Sequence, residues 1–453
     1  MRTDLFGSDT SLTRPEAVEA WNATQMAFLA HGAATPEHLG RTLTLAPDFA
    51  LAHATKGLFL MLLGRRALVP DAAAAHERAQ SLVAQGSAFL RERRYVAALG
   101  HYLDGHLARA AAEFETVCRE TPQDATAAKL AHAIHFVLGD SARLLGAIER
   151  VLPAVGPDHA AHGFMLGCQA FGLEETGAFD AALATAERGM TFRRDDAWGL
   201  HAATHVYDIT AESRRGLDCL DRNEDAWAHC NNFRFHVWWH KALLHLDQGE
   251  VDAVFALYDT KVRAEKTDDY RDISNATSLL TRLELEGHNV GDRWEELAVL
   301  ADTHVDDGCL LFADLHYMLA LLGDGRRESS ATLAAQVGQR AATPQATDVA
   351  RVYAHPGQAA MAGLCAFSEG DYGTAFGHLA QASTGMRRAG GSHAQRDVFE
   401  RVAIDAGLRA GALDGAAALL ESRRQLRGGH DDRFAQVRSR MIAEARAQAA
   451  PAA

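Results

Sequence analysis

The chain has 453 residues, is 48% hydrophobic and only 7% aromatic, has ten prolines, and carries a formal net charge of -14. An acidic surface of this kind argues against non-specific nucleic-acid binding and against docking on an anionic membrane. Abundant Ala and Leu with scarce Pro favour helix throughout.

No apolar run is long enough to cross a bilayer, and Met1-Arg2-Thr3-Asp4 does not open a secretory signal. The six cysteines, Cys118, Cys168, Cys219, Cys230, Cys309 and Cys365, are scattered and form no Cys-x-x-Cys. They read as reduced thiols of a cytoplasmic protein.

In chain order, residues 1–13 read as an N-terminal tail, mobile or capping. A helix opens at Arg14-Pro15-Glu16-Ala17, with proline in its first turn. Leu45-Ala46-Pro47-Asp48 then hands over to the next helix. A recurrent glycine follows, at Gly105, Gly139, Gly177, Gly249, Gly370 and Gly411, each with small or capping residues after it. Glycine supplies the left-handed residue that ends a helix, and the neighbouring alanines let paired helices approach. The first intervals are about 34 and about 38 residues, near the tetratricopeptide period of 34. Glu120-Thr121-Pro122 and Val155-Gly156-Pro157 read as breaks between repeats. The expectation is an all-α, right-handed superhelix of tetratricopeptide-like helical hairpins, an α-solenoid. It forms one domain over residues 14–445, irregular towards the C-terminus. Arg326 to Thr347 reads as a loop or a poorly packed helix pair, and residues 446–453 as a disordered tail.

The chemistry-bearing residues concentrate between Trp198 and His240. His201-Ala202-Ala203-Thr204-His205 and His236-Val237-Trp238-Trp239-His240 are two His-x-x-x-His pairs in helical sequence. Residues four apart lie one turn above each other on a helix. Each pair therefore presents two imidazoles on one face, and neighbouring helices would bring all four together. His201, His205, His236 and His240 are the candidate ligands of a divalent transition metal and candidate acid–base groups. The ordinary alternative is that each satisfies a hydrogen bond between packed helices. Neither pair is His-Glu-x-x-His, so the metalloprotease base is missing. Trp239 is a candidate pocket wall, Asp208 a partner on the His201 face, and Asp259 and Asp272 candidate carboxylates with helix capping as their alternative. His316 is one more helical histidine, with core satisfaction as the default.

Gly390-Gly391-Ser392-His393-Ala394-Gln395-Arg396-Asp397 forms a second constellation. Ser392 with Gln395 is a capping box. His393, Arg396 and Asp397 share the same first turn, where free backbone N–H groups and partial positive charge suit an anion. Arg396 and Gln395 are candidate substrate-binding residues, and His393 with Asp397 a candidate proton relay. Arg396 bridging to Glu284 or Glu286 is the structural alternative.

Through Asp195–Val206, His236–Leu243, Leu279–Gly287 and, most specifically, Gly390–Val398, most of the chain resembles the tetratricopeptide repeat protein 38 family. That resemblance implies a tetratricopeptide-like helical fold and brings no established reaction. Two functions follow from the residues. One is an enzyme or small-ligand protein whose groove is lined by these His, Asp and Arg side chains, acting on a small anionic substrate by acid–base or metal-assisted chemistry. The alternative is a non-catalytic scaffold that holds a peptide or partner protein, alone or as a homo-oligomer. Neither involves nucleic acid or a membrane.

Overall fold

In the computed structural model, residues 2–86 and 88–449 are described. They are almost entirely helical; the single sheet among them is a two-stranded hairpin, Arg2–Thr3 against Asp9–Thr10. None of the described helices is long and apolar enough to cross a membrane. The chain divides into two compact units, where one domain over 14–445 was expected. The first comprises residues 1–203, 223–234 and 347–349, and the second residues 204–222, 235–346 and 350–453.

The first unit is a run of antiparallel helix pairs. Ala50–Leu62 packs on Val69–Ala84, Leu90–Leu103 on Leu107–Glu120, Ala125–Leu138 on Ser141–Val151, and His162–Glu175 on Phe179–Phe192. Leading helices also touch the next leading helix, as a stacked-hairpin repeat requires: Ala50–Leu62 meets Leu90–Leu103, and Ala125–Leu138 meets His162–Glu175. The turn at Gly139 shows how the sequence sets this geometry. Gly139 has φ +66°, where a side chain would be strained, and Asp140 then caps the next helix by accepting from the Arg143 amide at 3.1 Å. All six glycines of the recurrent turn have positive φ.

Residues 2–13 pack against the helices that follow. Phe6 and Leu12 are buried, and Asp4 holds the Arg91 guanidinium at 2.9 Å while Asp124 holds it at 2.6 Å. Tyr95 also donates to Asp124, which caps the helix Ala125–Leu138.

In the second unit the helix Tyr270–Leu285 is central. It packs on Arg293–Asp302, on Leu311–Gly323 and, far along the chain, on His393–Arg409. Gln358–Ser368, Tyr372–Ser383, Leu413–Leu426 and Arg433–Ala449 complete the stack. The segment expected to be a loop or poorly packed pair contains a fifteen-residue helix, Arg327–Ala341. Ser330, Leu333 and Val337 are buried along one face, a spacing that the Ala/Gln/Thr-rich composition hid. Of the expected C-terminal tail, residues 446–449 continue the last helix, and residues 450–453 lie outside the described residues. All six cysteines are free, four of them buried.

Candidate functional site

Three of the expected histidines meet in the second unit. His205 lies in the second half of the helix Ala197–Ile209, and His236 and His240 lie one turn apart on Phe233–Asp247. The His205 and His240 rings have centroids 4.4 Å apart, and those of His236 and His240 are 4.7 Å apart. One ring nitrogen from each of the three lies within 4.8 Å of the others. His240 Nε2 and His236 Nε2 are 3.2 Å apart. His236 Nδ1 is 2.9 Å from Asn275 Oδ1, so Asn275 selects the Nδ1–H tautomer and leaves Nε2 with its lone pair facing His240. His393, first residue of His393–Arg409, packs edge-on against His205 with centroids 5.4 Å apart.

Burial governs the protonation of this group. His236 is pushed down to about 3 by burial first, with the Asn275 hydrogen bond opposing and His205 and Arg271 adding to the fall. His240 is held well below the ordinary imidazole range by burial, then by His205, His236, His393 and Arg282. Both are neutral at pH 7, the form that binds metals.

His201 falls in the first unit. There its ring stacks on Phe171 at 5.6 Å and packs on Trp198 and Phe233. Trp198 also lies under the Lys129 ammonium, 4.2 Å from its ring centroid.

The remaining expected residues sort by what they touch. Trp239 is fully buried, with its ring stacked on His236 and edge-on to His240, so it walls the histidine group. His316 is buried against Phe312 and Phe399, with Nδ1 2.7 Å from the Phe312 carbonyl and Nε2 without a hydrogen-bond partner; it is a core histidine, satisfied at one nitrogen only. Ser392 and Gln395 form the capping box, which occupies the Gln395 side chain at the helix start. Arg396 turns back to the Gly391 carbonyl. It does not bridge to Glu284, which accepts from the Trp294 indole, or to Glu286, which pairs with Arg433. Asp397 is not the relay partner of His393. It lies between Arg401 at 2.6 Å and Arg423 at 2.5 Å. These guanidiniums hold its carboxyl well below the usual range against the opposing effect of burial. Asp259 pairs with Arg293 near the surface. The cap of Tyr270–Leu285 is Asp269; Asp272 is buried and accepts from Thr267.

Sequence reading missed the charged wall beside the histidines. A cavity of about 40 Å³ is lined by His393, Asp397, Asp208 and residues scattered from Ile209 to Phe434, among them Arg282, Arg423 and Arg427. Arg282 stands inside the resembling stretch Leu279–Gly287, which was the one available signal. Arg423 and Arg427 lie in ordinary-looking helix-end sequence.

No family model matches the chain. Among solved structures, the chain is similar to human IFIT1, solved as a dimer with PPP-AAAA. The likeness is at 14% identity over 94% of this chain and 95% of that one, with a TM-score of 0.43. It is also similar to a chain in the structure of Naa15/Naa10 bound to HypK-THB, at 10% identity over 96% of this chain and 66% of that one, with a TM-score of 0.26.

Proposed function

We propose that this helical-repeat protein holds a divalent transition metal ion on His205, His236 and His240 and uses it in metal-assisted or acid–base chemistry on a small anionic substrate. The observation that carries this reading is the 3.2 Å between the Nε2 atoms of His236 and His240. Two imidazoles on one tetrahedral ion, each at about 2.0–2.1 Å, bring their nitrogens to about 3.3 Å. Asn275 supports it by fixing the His236 tautomer from behind, as second-layer partners of metal ligands do. Three imidazoles leave a fourth position for water or substrate, the arrangement of catalytic rather than structural zinc. His393, against His205, is the candidate general acid or base beside that position. The resemblance to the tetratricopeptide repeat protein 38 family belongs to this proposal, as does a reduced, cytoplasmic setting for the six free thiols. A net charge of -14 favours a small ligand or peptide over nucleic acid.

The test is elemental analysis of purified, dialysed, untagged protein beside a His236→Ala/His240→Ala variant. Near-stoichiometric metal that disappears in the variant, with a cooperative melt retained, is the expected result. Absence of metal in both, including after incubation with zinc or cobalt, overturns the reading. It then leaves the rival, a scaffold whose repeat surfaces hold a peptide or partner protein.

A further inference from the structure

The cavity of about 40 Å³ in the second unit has room for roughly three waters, at 10–15 Å³ each. Its wall is heavily charged, but most of that charge is internally neutralised. Arg423 grips Asp432 with both terminal nitrogens, at 2.9 and 2.6 Å, and reaches Asp397 through Nε at 2.5 Å. Arg401 joins Asp397 at 2.6 Å and Asp432 at 3.0 Å. Two guanidiniums and two carboxylates thus close a neutral quartet.

Arg282 and Arg427 stand outside it. Arg282 is 1% exposed. Its terminal nitrogens donate to the Ala394 carbonyl at 2.7 Å and the Ser278 carbonyl at 3.1 Å. The carboxylate paired with it, Asp397, is 3.6 Å away and already holds two arginines. Arg427 is 7% exposed. It donates to the Asp208 carbonyl at 2.5 Å, and lies 3.7 Å from the Asp208 carboxylate and 4.0 Å from that of Asp432. Both side chains line the cavity, and in both the buried Nε–H has no acceptor. A buried donor left unpaired costs about 1–3 kcal/mol, and Arg N–H groups are the usual readers of oxyanions. Burial, then Arg401 beside it, pushes Arg282 down to about 10, as befits a cation with too little negative charge around it.

We propose that this cavity binds the carboxylate group of a small monoanionic ligand, held by the Nε–H groups of Arg282 and Arg427 beside His393. This deepens the metal reading by naming the substrate class, since His393 joins the cavity to His205. A dianion fits less well. Asp208, Asp247, Glu286 and Glu400 also line the wall, and a second negative charge would face them. Burial and Asp397 already push Glu400 upward, towards its neutral form.

The test is calorimetric titration of the full chain with acetate, and with phosphate and chloride for comparison. It is run on the wild type with and without chelator, on Arg427→Gln, on Glu400→Gln and on His240→Ala. Saturable 1:1 acetate binding is expected, weakened about tenfold or more in Arg427→Gln, the loss of one charge-assisted hydrogen bond. Binding in Glu400→Gln, compared at a pH high enough to ionise Glu400, should be tighter, because a neighbouring negative charge is gone. Equal acetate affinity in wild type and a folded Arg427→Gln overturns the proposal, as does a preference for phosphate over acetate. If Arg427→Gln does not fold, Glu400→Gln decides: unchanged affinity there counts against. Retention in His240→Ala places the anion in the cavity whatever the fate of the metal. Loss on chelation or in His240→Ala places acetate on the metal instead, which sinks this inference and spares the metal centre.

Discussion

Asp314 offers a quantitative test of the packing behind the site. It lies on Leu311–Gly323, the helix that supports Tyr270–Leu285 and hence Asn275 and Arg282. Its side chain is buried, accepts from the Tyr353 hydroxyl at 2.5 Å, and leaves Oδ1 without a partner. Burial pushes its carboxyl up from 3.8 to about 7, with the Tyr353 bond and Arg340 opposing. The folded-state value is raised, so the contribution to stability is greatest below the unfolded value near 3.9. It is lost as pH climbs to the folded value, while only the unfolded chain releases the proton. At 1.36 kcal/mol per unit, a shift of this size amounts to about 4 kcal/mol in full, and about 2.5 kcal/mol between pH 5 and pH 8. Asp314→Asn keeps an acceptor for Tyr353 but cannot ionise. Its buried amide costs a constant 1–3 kcal/mol or so at every pH. The difference in stability between variant and wild type should therefore swing by about 2.5 kcal/mol in favour of the variant from pH 5 to pH 8. Hydrogen exchange along Leu311–Gly323 at several pH values reads this locally, without assuming that the two units unfold together. A difference that stays flat with pH refutes the reasoning, and would mean that water or Arg340 keeps Asp314 ionised.

Three further outcomes follow from other buried contacts. His304 is held between Asp307 at 2.8 Å and Asp268 at 2.5 Å; burial alone would lower its pKa, but the two carboxylates raise it. Its stabilising effect is full below pH 6.5 and fades as pH rises through the raised folded value, so His304→Gln should lose more stability at pH 5.5 than at pH 9 in denaturant titrations. Asp432→Asn takes a carboxylate from two buried arginines, leaving Arg423 with Asp397 and Arg401 with Asp397 and the more distant Glu286, and should cost about 3–5 kcal/mol. Asp432 is depressed by Arg423, Arg427 and Arg401 against burial, so the stability it gives is present above the ordinary carboxylate pKa and lost as pH falls towards its depressed value. A loss below 1 kcal/mol in urea melts at pH 7 would show the quartet to be solvated. Ser392→Ala removes the capping box of His393–Arg409 and should cost about 1 kcal/mol, read as faster exchange of the Gln395 amide; unchanged exchange would mean the cap is not formed in solution.

Much of the local structure was legible because it depends on neighbours in sequence. The recurrent glycines announce left-handed helix ends, and Ser392 with Gln395 announces a capping box. The pairing of His236 with His240 is a property of one helix. Failures came where a residue has two partners of comparable appeal. Asp397 is spaced to meet His393, but Arg423, 26 positions later, offers a full charge, and a buried carboxylate goes with the cation. Arg396 looked like an anion ligand until its own loop carbonyl at Gly391 took it. Arg423 and Arg427 carry no mark in sequence, since a buried arginine and a surface arginine are written alike.

The sequence alone determined that this chain is all-α, built of capped hairpins about 34 residues apart, with histidines repeating one turn apart on two of its helices. Those features follow from helix geometry and glycine sterics, which act within a few residues. Tertiary structure decided which histidines meet, which arginines keep an open N–H, and that an anion-sized cavity lies beside His393. Those outcomes are set by desolvation and charge pairing between helices remote in sequence, where the nearest opposite charge in space, not the nearest in sequence, takes the bond.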